Sequence, residues 1–173
     1  TSGTSTPAAQ KVPDGQAMWE TSNSLWAAVQ SGTNMIYHAA GWLEGGLTAS
    51  LEKFIIDVEM LQMFAALMQP VEFNEDTLGL SAINEIEPGG HFFGTQHTLA
   101  RYETAFYTPL VSDWSNFETW QETGGMDATV RANRIARKAL AEFEPPQLAE
   151  ECREAIDDFV IRRTEQGDTD LQS

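Results

Sequence analysis

Asn34-Met35-Ile36-Tyr37-His38-Ala39-Ala40-Gly41-Trp42-Leu43-Glu44-Gly45-Gly46-Leu47 is the stretch whose reading decides the fold. Asn34 to His38 is short, apolar and β-compatible, and Gly41 to Gly46 is rich in glycine, so the stretch reads as a buried strand running into a loop. On its N-terminal side, Pro13-Asp14-Gly15 gives a turn and an N-cap. Met18, Ser22, Leu25, Trp26 and Val29 then share one helical face until Ser31-Gly32. On its C-terminal side, Leu47, Leu51, Phe54, Ile55, Val58, Leu61, Ala65 and Met68 recur at the helical period, predicting a long helix that ends before Pro70. Helix, strand, loop and long helix in that order make a slice of a β/α barrel, where sites sit on loops at the C-terminal ends of the strands. The strand content is too small for a complete barrel.

Farther out, residues 1–11 are small, polar and without period, and read as an exposed N-terminal arm whose natural context lies upstream. Asn74 caps a helix carrying Leu78, Ala82, Ile83 and Ile86, with Glu75 and Asp76 at its positive dipole end, and Pro88-Gly89-Gly90 stops it. Helices are predicted over Thr98 to Tyr107, Asn116 to Thr123 and Asp127 to Phe143. After Pro145-Pro146 comes a last amphipathic helix with Leu148, Cys152, Ile156, Phe159 and Val160 on its apolar face. Residues 12–166 are expected to form one partial-barrel and helical domain, and residues 167–173 to fray.

With 173 residues, 42% of them apolar, the chain is long enough for one domain with a core. It has no apolar run of about eighteen residues and no signal-like segment, so it is expected to be cytoplasmic and without a membrane partner. Its single cysteine, Cys152, lies on a helical apolar stripe and reads as a buried structural thiol. A net charge of −16 argues against nucleic acid, which is bound by neutralising phosphates. Between Val12 and Ala100 the only basic residue is Lys53, against eleven acidic residues. That balance keeps an acidic surface soluble, and it also favours a cationic small molecule.

The segment Pro88-Gly89-Gly90-His91-Phe92-Phe93-Gly94-Thr95-Gln96-His97-Thr98 gathers two histidines and two aromatics among glycines that free the backbone. A metal site could draw on His38, His91 and His97 with Glu44 or Glu103. However, the six-residue spacing of His91 and His97 is not a ligand spacing, so no metal is expected. The bland alternative has His97 opening a helix and bonding locally while His91 lines a cleft. No G-x-S-x-G elbow, phosphate loop or dinucleotide turn occurs, so no nucleotide is expected either. Ammonium binding fits the residue types better: aromatic faces hold such cations with help from a carboxylate. Tyr37, His38, Trp42 and Glu44 supply those types, although single aromatics are more often core.

Gly41-Trp42-Leu43-Glu44-Gly45-Gly46-Leu47, the helix ending Glu59-Met60-Leu61, and Pro88-Gly89-Gly90-His91-Phe92-Phe93 with His97-Thr98 closely resemble the C-terminal part of the trimethylamine methyltransferase family. Lys11-Val12-Pro13-Asp14-Gly15-Gln16-Ala17 is similar to the family's segment just after its active-site loop. The resemblance spans Val12 to Arg163 and implies an α/β fold: the C-terminal portion of a TIM (β/α)8 barrel, mostly helical with few short strands. It implies transfer of a methyl group from a tertiary or quaternary methylated amine to the Co(I) of a separate corrinoid protein. That protein and a small methylated amine would be the partners, and no metal would be bound directly. Some members carry pyrrolysine and others are similar to glycine betaine methyltransferases; these 173 residues carry none. Gln16, Tyr37, His38, Trp42 and Glu44 would lie near substrate, and Gly89, Gly90, His91, Phe92 and His97 would face the corrinoid. The fragment alone is expected to be inactive and to form a homo-oligomer that buries its apolar edges. The competing readings are a non-catalytic acidic helical interaction module and a fragment of a metal-dependent hydrolase.

Overall fold

Asp14 starts the first helix: its carboxylate accepts from the backbone N–H groups of Gln16 and Ala17, at 2.9 and 3.2 Å. Two donors that a helix start leaves open are thereby satisfied. This helix, α1 (Gly15–Gln30), ends at Ser31, and Gly32 follows with φ 71°. The computed structural model describes residues 2–4 and 7–167. Strand β1 (Ser2–Thr4) precedes α1 and β2 (Met35–Tyr37) follows it, and the two pair in parallel with Ser2 opposite Met35 and Thr4 opposite Tyr37. Parallel neighbours need a crossover of about a dozen residues or more, and α1 provides it.

Because β1 and β2 run in the same direction, the segments that follow them leave from the same end. There Glu44 N–H donates to Gln10 O and Gly45 N–H to Ala8 O, each at 2.9 Å. Between these bonds β3 (Trp42–Leu43) and β4 (Thr48–Ala49) form an antiparallel hairpin around a 3₁₀ turn at Glu44–Gly46. Ala8, Ala17 and Leu43 are buried together, with Met18 against them. The exposed arm expected for residues 1–11 is therefore corrected. Ser2–Thr4 is a strand paired with β2, and Ala8 is fully buried, because its small side chain fits against Ala17 and Leu43. The buried strand expected at Asn34 to His38 is also corrected, since Met35 is 56% and Tyr37 47% exposed. A parallel strand is buried only when both its faces are covered.

The long helix, α2 (Leu51–Leu67), starts four residues later than its period predicts. Thr48 and Ala49 belong to the hairpin, and the Ser50 side chain caps the Lys53 N–H at 3.1 Å. Its buried positions are Lys53, Asp57 and Glu59, while Leu51 and Phe54 are about half exposed. Lys53 Nζ donates to both Asp57 oxygens at 2.5 and 2.6 Å and to Thr21 Oγ1 of α1 at 2.8 Å. Nearby, the Trp26 and Phe64 rings meet at 5.2 Å between α1 and α2.

Asn74 and Thr77 form a reciprocal capping box at α3 (Glu75–Leu78), and Gly79 at φ 64° separates it from α4 (Leu80–Asn84). The helix predicted over Thr98 to Tyr107 shrinks to α5 (Gln96–Leu99) followed by turns. The Arg101 guanidinium takes the His97 carbonyl at 3.1 Å, which a continuing helix would give to the Arg101 N–H; that N–H bonds Thr98 O instead. Two further helices follow, α6 (Phe117–Glu122), capped by Asn116, and α7 (Ala128–Ala141). Thr129 of α7 donates to Pro13 O at 3.2 Å and Asn133 to Glu52 of α2 at 2.5 Å.

The single domain expected over 12–166 divides between Ala139 and Leu140. In the second unit α8 (Glu150–Gln166) buries none of its residues. Ile156, Phe159 and Val160 are about half exposed, and Cys152, expected to be buried, is exposed. An apolar stripe identifies a face suited to burial, but it does not say that a partner packs on it. Gly167 ends α8; the rest of the tail expected to fray, 168–173, lies outside the described residues. Among the described residues the chain is mostly helical with four short strands, an α/β arrangement.

Breaking a buried ion pair from one side leaves the other charge stranded. Lys53→Met is therefore expected to lower unfolding free energy by about 3–5 kcal/mol, whereas Lys11→Met at the surface changes it by less than about 0.5 kcal/mol. Urea denaturation of both variants checks the contrast.

Candidate functional site

Gly41 is the point at which the chain leaving β2 is fastened. Its N–H donates to Asp57 Oδ2 at 2.8 Å and its carbonyl accepts from Ser50 N–H at 2.9 Å. The backbone there has φ 84°, and an added Cβ would stand 3.2 Å from Phe54 Cβ, so glycine is required for conformation and for space. Trp42 follows, and the His38 ring meets its indole edge-on at 5.6 Å and 81°. His38 and Glu44 hold the uncommon left-handed backbone, at φ 55° and 52°. Glu44 Oε2 accepts from Thr48 Oγ1 at 3.0 Å. On α1, Gln16 donates to Glu20 Oε1 at 2.8 Å and accepts from Gln10 Nε2 at 3.3 Å. The Gln10 backbone carbonyl in turn holds the Glu44 N–H, so Gln16 and Glu44 share Gln10 as a neighbour, while His38 pairs with Trp42 two residues before Glu44. Tyr37 precedes His38, at the end of β2.

Trp42 also lines a cavity of about 310 Å³ with Ala40, Gly41, Ala49, Ser50, Leu51 and Phe54. Besides the indole and phenyl rings its walls are the small Ala40, Gly41, Ala49 and Ser50 and the apolar Leu51. A larger cavity of about 380 Å³, between α1 and α2, is lined by Trp19, three methionines and Glu59. That also offers an aromatic and a carboxylate, but the Glu59 oxygens are already occupied. They accept from the N–H of Ser112 at 3.0 and 3.1 Å, from the N–H of Val111 and from the Ser112 hydroxyl.

The segment 88–98 is held by a different set of bonds. Gly89 has φ 83°, and a Cβ on Gly90 would lie 2.8 Å from Ile86 Cγ2 and 3.0 Å from Glu87 O. The His91 ring lies 5.4 Å from that of Phe93, and Phe92 is 46% exposed. His97 Nε2–H donates to Asp76 O at 2.9 Å, and Arg101 pairs with the Asp76 carboxylate. His97 thus ties α5 to α3. Among the described residues no group of three or more His, Cys, Asp or Glu side chains is placed to hold a metal ion, and no helix is long and apolar enough to cross a membrane.

Three residues that shape this region escape a search for exposed chemistry: Lys53, Asp57 and Glu59. Lys53 stands alone as a basic residue before Arg101, with Asp57 one helical turn later, and that pattern is a readable signal. Burial pushes the Asp57 carboxyl above its ordinary range, while Lys53 and the Gly41 N–H pull it down. For Glu59 burial also pushes upward, but the Ser112 hydroxyl and the N–H groups of Val111 and Ser112 prevail and leave it below the usual carboxylate range. Tyr107, bonded to Gln62 at 2.9 Å, is raised by burial and by the Glu59 charge.

A parallel β-α-β unit followed by a hairpin and a long helix defines a mostly helical α/β protein. The family described as Trimethylamine methyltransferase (MTTB) matches residues 1–168, and the chain belongs to that family. It is 35% identical over 153 residues to a glycine betaine methyltransferase of Desulfitobacterium hafniense, covering 88% of this chain and 32% of that protein. It is 31% identical to the trimethylamine methyltransferase MttB of the same species, covering 87% of this chain and 30% of the relative. For MttB2 of Methanosarcina mazei the identity is 29%, over 80% of this chain and 28% of the relative. The chain thus spans about a third of the length of the curated relatives it matches.

Because Glu59 is depressed in the folded chain relative to an ordinary carboxyl, its stabilisation is present above the unfolded value, near pH ~4.3, and is lost as pH falls through the folded value. Stability measured from about pH 6 down to about pH 2 should therefore fall less steeply in Glu59→Gln than in the unaltered chain. Identical slopes would mean that the Glu59 clamp contributes nothing.

Proposed function

We propose that this chain serves as the C-terminal portion of a longer cytoplasmic methyltransferase that moves a methyl group from a tertiary or quaternary methylated amine to a corrinoid protein. The observation that carries this reading is the meeting of the segments after β1 and β2. It sets Gln16 near the Glu44 backbone through Gln10, two residues from the His38–Trp42 ring pair, in a chain of the trimethylamine methyltransferase family. The β-α-β unit is then one part of a (β/α)8 barrel, and Met35 and Tyr37 lie on a face that the remaining strands and helices, or a second copy, would cover. Alone, the chain lacks the opposite wall of the cleft and is inactive.

The chemistry asks for positioning and charge management more than for acid–base work. The partner's corrinoid supplies a nucleophilic Co(I). As the methyl carbon is captured, its bond to nitrogen breaks and the electron pair stays on nitrogen. A quaternary ammonium, or a protonated tertiary amine, therefore departs as a neutral amine. The indole face of Trp42 attracts the cation, Tyr37 and His38 complete an aromatic border, and the carboxylate of Glu44 adds negative potential. Gln16 is placed to bond the polar end of the donor. Holding the N–CH₃ axis toward the acceptor is an orientation effect. Gly89, Gly90, His91 and Phe92 suit an approaching flat macrocycle, since the glycines raise no side chain and Phe92 is open. His97 spends its Nε2–H on the Asp76 carbonyl, so its part is to hold this segment in place.

The test is methyl transfer by the full-length protein from glycine betaine and from trimethylamine to a Co(I) corrinoid protein, followed by the cobalt absorbance. Trp42→Ala should raise KM for the amine roughly tenfold, the loss of one desolvated cation–π contact. Failure of every methylated amine to support transfer by the unaltered enzyme would overturn the assignment.

A further inference from the structure

We propose that Lys53 and Asp57 are positioning residues of the methyl-transfer site, fixing Gly41 and thereby the orientation of the Trp42 indole. The proposal rests on the reading of Trp42 as a substrate contact. Neither residue touches that site: Lys53 is 0% and Asp57 1% exposed. Asp57 has two different donors to satisfy. One of its oxygens accepts from the Gly41 N–H at 2.8 Å while both take the Lys53 ammonium. Lys53 is itself anchored to α1 through Thr21 Oγ1 at 2.8 Å. A chain of buried polar contacts thus runs from the crossover helix, through α2, to the residue before Trp42.

The geometry gives Gly41 no slack. Its carbonyl is taken by the Ser50 N–H at the start of α2, and Phe54 fills the space where a Cβ would be. With both backbone groups fastened to one helix, the peptide leading into Trp42 has one orientation, which presents the indole to the His38 edge on one side of the hairpin. The pairing also has an electrostatic consequence. Lys53 is the sole basic residue between Val12 and Ala100, and its charge is matched inside the fold by Asp57. Lys53 itself therefore adds no uncompensated ammonium beside a site meant for a cation.

Two double variants separate positioning from stability. Lys53→Met with Asp57→Asn removes both charges and keeps an oxygen for the Gly41 N–H; Lys53→Met with Asp57→Leu removes both charges and that oxygen. Replacing a buried pair on both sides by groups of similar volume is tolerated far better than removing one partner, so both variants should fold. In the Leu variant, exchange of the Gly41 amide with deuterium should be about tenfold faster or more, the loss of one buried hydrogen bond. KM for glycine betaine should rise about tenfold with kcat changed less, because a cation held on an aromatic face is bound before the methyl group moves. The Asn variant should keep both values near those of the unaltered protein. Equal Gly41 exchange and equal KM in the two variants would overturn the proposal. Absence of methyl transfer in the unaltered protein would instead strike the functional reading, while Gly41 exchange would still report whether Asp57 fixes the loop.

Discussion

An ammonium and a carboxylate buried one turn apart on α2 decide where the chain can go after β2. Removing such charges from water costs several kcal/mol each, and only close geometry with further hydrogen bonds offsets that cost. Here the offset comes from the two Lys53–Asp57 contacts, from Thr21 and from the Gly41 N–H. Each of these partners lies on a different part of the chain, so the pair is satisfied only when α1, α2 and the post-β2 loop are assembled together. Glu59 does similar work two residues later. It holds the backbone at Val111 and Ser112, and Arg131 of α7 takes the Val111 carbonyl at 2.7 Å from the other side. The helix thus organises the fold through polar groups that lie off the apolar stripe expected for it.

Much of this organisation was legible in the residues. Asp14 as a cap, Ser31-Gly32 as a stop, Asn74 as the start of an acidic helix and the strand between Asn34 and His38 all depend on local chemistry, and local chemistry is written in sequence. What could not be read was burial. The stripe from Leu51 to Met68 is periodic, yet its period says nothing about whether this stretch of chain supplies a partner for it. Residues 1–11 show the opposite case. With no period they read as an arm, but a three-residue parallel strand and a buried alanine need no period, only a neighbour that arrives about thirty residues later by way of a crossover helix. Trp42, His38, Glu44 and Gln16 were recognisable by type and by family resemblance. Gln10, which bonds Gln16 and Glu44, was not, because its contribution to Glu44 is made with a backbone carbonyl.

Charge and aromatic placement agree with one another. Pairing Lys53 internally leaves ten of the eleven acidic residues between Val12 and Ala100 without a basic residue of that stretch, and the loop at Trp42 lies inside it. An excess of acidic residues of this kind favours a cationic partner over an anionic one. The competing cavity beside Trp19 has an indole but no open carboxylate on Glu59, which is committed to Val111 and Ser112.

The central claim is that a methylated ammonium is received at Trp42, and the five tryptophans of the chain offer a direct way to measure it. In the ¹⁵N-labelled protein titrated with glycine betaine, the indole N–H signal of Trp42 and the amide signal of Gly41 should shift together and saturate. The signals of Trp114 and Trp120 should stay where they are. A shift confined to Trp19, or no shift at any tryptophan, would contradict the account.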